Sequence, residues 1–82
     1  MNLNQWPAAM LAEALFVSPL QPSDSPTVEQ VNTAVEAMLL LHGSDGCAEL
    51  LAQECGEHPH GAAERMRWSL TTVRAAYTAV AV

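Results

Sequence analysis

Thr27–Gly43 reads TVEQVNTAVEAMLLLHG, and this stretch decides the fold. Thr27 followed three residues later by Gln30 is a capping box, which opens a helix by pairing side chains with the orphan backbone N–H groups of its first turn. Val28, Val31, Val35, Met38 and His42 recur at 3-4-3-4 spacing, with Ala34, Leu39 and Leu41 widening the stripe, so one face is built for burial. Glu29 in the first turn and His42 in the last both complement the helix dipole. Gly43 is a stop signal. The segment is therefore a core helix from Thr27 to about His42.

Downstream, Ser44 or Asp45 can cap a third helix over about Gly46–Cys55, which buries part of Cys47, Ala48, Leu50, Leu51 and Ala52 and stops at Gly56. Two helices joined through GSDG make a helical hairpin. Pro59 then starts a last helix reaching about Ala81, in which Ala63, Met66, Leu70, Val73, Tyr77 and Val80 form an apolar seam. At 1.5 Å per residue it spans about 34 Å, against about 22 Å for the second helix. It is expected to outrun its neighbours, leaving Tyr77, Val80 and Val82 in need of cover.

Upstream, Val17–Pro26 (VSPLQPSDSP) holds three prolines and reads as a stiff extended connector. Its Pro19–Pro22 segment matches PxxP only formally, without flanking basic residues. Before it, Pro7 opens a short helix over Ala8–Phe16 whose single charge is Glu13. Ten residues do not hold a helix alone, so this one must be clamped by the rest of the domain or by a partner. The expected fold is all-α: a single domain over 1–82, with the N-terminal helix and Pro-rich connector in 1–26 and the helical core in 27–82. It is a small bundle of four helices, comprising a short N-terminal helix, the hairpin pair and a long C-terminal helix.

Composition narrows function more than it names it. The chain has 82 residues and a formal charge of −6, from nine carboxylates against three arginines and no lysine. Eight of the carboxylates precede residue 62, and Arg65, Arg67 and Arg74 all lie on the last helix. Such a chain binds phosphate backbones poorly, so nucleic acid is not expected as a partner, and the hairpin lacks the Arg and Lys a DNA-reading helix pair requires. Pro7, Glu13 and Pro19 interrupt the apolar N-terminal stretch, which argues against a signal peptide and for a cytoplasmic protein with no membrane association. Cys47 and Cys55 lie eight apart on one helix, about 12 Å, too far to bridge.

No catalytic constellation is expected, and no cofactor. Cys55, His58 and His60 form C-x2-H-x-H, a spacing outside the usual zinc frameworks. Cys55 and His58 as nucleophile and base lack an orienting acid and an oxyanion turn. Trp68 is the most informative residue: with Ala63 at heptad position a, it falls opposite the seam, flanked by Arg65 and Arg67, residue types enriched at interface hot spots. Trp6, before the first helix, is either a staple or a docking residue.

The strings LQPS…PT (Leu20–Thr27), GCA (Gly46–Ala48) and HP…RMRW (His58–Trp68) resemble a group of short, uncharacterised actinobacterial proteins of about this size. The resemblance implies no activity, cofactor or catalytic residue. The functional expectation is a non-enzymatic protein-interaction module that self-associates, for example as a homodimer, through the C-terminal helix, using Arg65, Arg67, Trp68, Tyr77 and Val80. The alternatives are a small transcriptional regulator acting on DNA directly or through a larger regulator, and a metal-dependent sensor or enzyme at Cys55, His58 and His60.

Overall fold

A computed structural model of the chain describes residues 3–78. The described residues form α1 (Ala8–Val17), α2 (Val28–Glu57) and α3 (Pro59–Thr78), with short 3-10 turns at Leu3–Gln5 and Pro22–Asp24 and no strand among them. The all-α class is as expected. The count of four helices is corrected to three, because the hairpin is a single bent helix.

The correction turns on Gly43. It takes φ 72° and ψ 169°, a conformation open essentially to glycine alone. Yet the backbone returns to helical angles immediately after it, so Ser44–Gly46 continue the helix and do not form a loop. Two limbs therefore meet at a one-residue kink. A straight 30-residue helix would measure about 45 Å, longer than the 38 Å long axis of the molecule. The limbs approach closely there: a Cβ added at Gly46 would meet the His42 Cβ at 3.0 Å, and the Cys47 thiol donates to the Met38 carbonyl across the bend at 3.6 Å.

The capping box at the head of α2 is present. Gln30 N donates to Thr27 Oγ1 at 3.1 Å, and Thr27 N donates to Gln30 Oε1 at 2.8 Å. The first limb buries Val31, Val35 and Leu39. Val28 and Leu41, expected in the stripe, are exposed instead. The second limb buries only Cys47 fully and lies more loosely on the rest. Burial, with Glu13 adding to it, pushes the Cys47 thiol above its ordinary range. Both cysteines are free, Cys47 buried and Cys55 exposed.

The clamp that α1 needs is its own domain. It contacts both α2 and α3, and Leu11, Ala12, Ala14, Leu15 and Phe16 are buried. A helix apolar on nearly every side can only be stable as the centre of a core, and each large side chain withdrawn from water contributes about 1.5–3 kcal/mol. Small residues let α3 approach: Ala12 and Ser69 are both wholly buried, and Ser69 Oγ donates to the Ala12 carbonyl at 2.6 Å.

That bond also shifts the face of α3. The deepest positions are Ala62, Ser69, Val73 and Ala76, whereas Ala63 is exposed and Met66, Leu70 and Tyr77 are half-buried. The expected seam is rotated by about one residue, because a serine with a backbone acceptor packs where an apolar residue was sought. Trp68, next to Ser69, therefore lies at the edge of the core and not opposite it.

The expected overhang of the last helix is absent as far as Tyr77. With its two limbs, α2 is the longest element described, and its start covers the far end of α3, where Tyr77 Oη donates to Asn32 Oδ1 at 3.1 Å. Burial, aided by the charge of Glu36, raises the Tyr77 hydroxyl to about 12. Val80 and Val82 lie outside the described residues.

Candidate functional site

The connector is held by one side chain. α1 ends at Val17, where Ser18 N and Oγ both donate to the Leu15 carbonyl, at 3.1 and 2.7 Å. The next carbonyls have no partner within α1, and Arg65 on α3 supplies it. Its Nε donates to Phe16 O at 2.8 Å, its Nη2 to Ser18 O at 3.0 Å and Leu20 O at 2.8 Å, and its Nη1 to Gln21 Oε1 at 3.3 Å. The guanidinium carbon also lies 5.6 Å from the Phe16 ring centroid and 5.1 Å from that of Trp68. A cation at a helix C-terminus, stacked on aromatic faces, is favourable both to the dipole and to the ring quadrupoles. Burial lowers the Arg65 pKa, and the charge of Glu54 opposes that shift.

Beside this clamp lies an open cleft of about 550 Å³, walled by Val17, Ser18 and Gln21 on one side and Leu50, Gln53, Glu54 and Glu57 on the other. At its edge, ligand atoms of Glu54, Glu57 and His58 lie within 4.8 Å of one another, and His58 Nδ1 is 3.0 Å from Glu54 Oε1. Among the described residues these are the three that come together as a possible metal-holding group. Cys55 and His60 are not part of it, so of the three ligands considered from spacing only His58 is at this position. The reason is helical: Glu54, Glu57 and His58 share one face at i, i+3 and i+4, whereas Cys55 points about 100° away.

A second surface was not read from the sequence. Pro19 and Leu20 of the connector face Thr33, Ala34, Ala37 and Met38 of α2 across a mainly apolar groove of about 620 Å³, with Glu29 at its rim. Leu40 and Leu41 are each 70% exposed. Ala34, Ala37, Met38 and Leu41 fall at i, i+3, i+4 and i+7, so Leu41 continues the groove wall and Leu40 flanks it. Three consecutive leucines cannot all face one core, since successive side chains turn by about 100°. Leu39 is the one buried.

The residues expected to form a partner surface are dispersed. Arg65 and Trp68 adjoin each other, with the guanidinium turned inward. Arg67 is exposed on another face, Tyr77 sits against Asn32 two turns further on, and Val80 is outside the described residues. With Arg65 engaged inside the chain, the three arginines do not make one outward stripe.

Among the described residues no helix is long and apolar enough to cross a membrane. Comparison with protein-family models, with curated proteins and with solved structures found no match to this chain.

Proposed function

We propose that the protein is a non-enzymatic protein-interaction module whose docking surface is the groove between the connector and the first limb of α2. The observation that supports this is the pair Leu40 and Leu41, 70% exposed and by helix spacing beside an apolar furrow that the described residues leave uncovered. Isolated apolar side chains on a surface are ordinary, but a contiguous strip with a groove beside it marks an interaction site. The reading keeps the module expected from the sequence and moves its surface from α3 to α2. Two facts favour the move: Arg65 is occupied with the connector, and the apolar face of α3 is covered as far as Tyr77.

A photo-crosslinking residue placed at Ala37 or at Leu41, against one at Thr71 on the exposed side of α3, tests the reading in cells expressing the full chain. Adducts of one defined mass from positions 37 and 41, and none from 71, are the expected result. Equal labelling from all three, or none, would refute it.

A further inference from the structure

Resting on that reading, we propose that the occupant of the groove is a cationic amphipathic helix of another protein, not a second copy of this chain. The wall that offers apolar contact is Ala34, Ala37 and Met38, with Leu20 opposite; helix spacing extends it to exposed Leu41, with exposed Leu40 at the edge. One face of a helix with apolar residues at i, i+3, i+4 and i+7 matches this strip along about two turns of the first limb.

Charge selects between occupants. Glu29 lines the groove, Glu36 lies further round on the Leu40 side, where its charge also acts on Tyr77, and Asp24 belongs to the connector. The whole of α2 carries Glu29, Glu36, Asp45, Glu49, Glu54 and Glu57 with no Lys or Arg. All three arginines are on α3, and the guanidinium of Arg65 is directed into the chain. A two-fold contact between copies brings the same patch to itself, so both copies' Glu29 would share one seam between two wholly acidic α2 helices while each chain adds its charge of −6. A partner with Lys or Arg flanking its apolar stripe meets the opposite field, which speeds encounter and fixes orientation.

The test uses the full chain, labelled for heteronuclear NMR, titrated with two synthetic amphipathic peptides: one of Leu and Lys, and one in the same pattern of Leu and Glu. The Leu/Lys peptide is expected to shift Leu20 and the residues from Ala34 to Leu41. Leu40→Ser with Leu41→Ser should weaken it about 10-fold or more, and Glu29→Gln with Glu36→Gln about 2- to 10-fold, with a shallower salt dependence. Leu40, Leu41 and Glu29 are exposed and Glu36 is half-buried near Tyr77, and circular dichroism checks the folding of both pairs. Equal binding of the Leu/Glu peptide in the groove would overturn the cationic preference while leaving the groove a docking surface. Shifts spread over Asp45, Glu49, Glu54 and Glu57 and indifferent to Leu40 and Leu41 would overturn the proposal as mere charge attraction. Concentration-dependent shifts of the groove without peptide would make a second copy the occupant. No response from either peptide, with no self-association, would overturn the docking surface as well.

Discussion

Replacing Arg65 with methionine keeps the packing stem against Phe16 and Trp68 and removes every donor that ties the connector to α3. Four acceptors lose their partner: Phe16 O, Ser18 O, Leu20 O and Gln21 Oε1. A hydrogen bond from a charged donor contributes about 1.5–3 kcal/mol when desolvated. The guanidinium is only part-buried and water can reach the freed connector carbonyls, so the full sum does not apply. Counting Phe16 O at that value and the other three at a few tenths each gives a loss of about 2–4 kcal/mol. At about 0.05–0.15 kcal/mol per residue, a chain of this size has about 4–12 kcal/mol in all. Urea denaturation followed by far-UV circular dichroism should show the midpoint falling by about 2 M, taking a slope near 1–1.5 kcal/mol per M. Arg67→Met, on an exposed face, should leave the midpoint unchanged. Arg65→Lys should fall between them, since an ammonium cannot present a planar fork to three carbonyls. If Arg65→Met unfolds at the same urea concentration as Arg67→Met, the side chain does not hold the connector and the energetic account of α1's end is wrong.

Gly43→Ala should cost about 1–3 kcal/mol through backbone strain alone, since nothing lies within 4 Å of the added methyl. Gly61→Ala, equally open but helical, should gain about 0.5–1 kcal/mol, and opposite shifts of the thermal midpoint would check the pair. Ser69→Ala should lose about 1–2 kcal/mol by leaving the Ala12 carbonyl without its side-chain donor, measured by the same denaturation. The Tyr77 hydroxyl is raised in the folded protein, so its contribution is complete below its unfolded value near 10 and is lost as pH rises through about 12. The melting temperature should therefore fall over that window in the wild type and fall less in Tyr77→Phe, and identical slopes would remove the assignment.

Element positions were legible because their signals are local. Thr27 and Gln30 satisfy backbone donors within one turn, Gly43 marks the single residue that leaves helical angles, and Pro59 opens α3. Whether Gly43 ended a helix or bent one was not legible. That depends on Cys47 and Leu39 finding the same core from either side, which is a tertiary fact. The register of α3 was misread because Ser69 counts as polar until its acceptor on α1, 57 residues earlier, is known. Arg65 was picked out by its place in a distinctive string, but only the path of the connector reveals that its donors point inward. The groove was hidden in LLL at 39–41: the pattern demands that some of these leucines face water, and the position of the connector decides which.

The position of α1 has a consequence for how the chain acquires its structure. α1 is made before the helices that cover it, and part of its buried side waits for Ser69, Val73 and Ala76 of α3. α1 first gains cover from α2, but joining Ala12 to Ser69 closes a further loop whose entropic cost is on the order of 3–4 kcal/mol. During synthesis this ten-residue apolar segment is therefore covered on one side only until α3 has emerged, and this interval, more than the finished fold, is where the protein is exposed to aggregation.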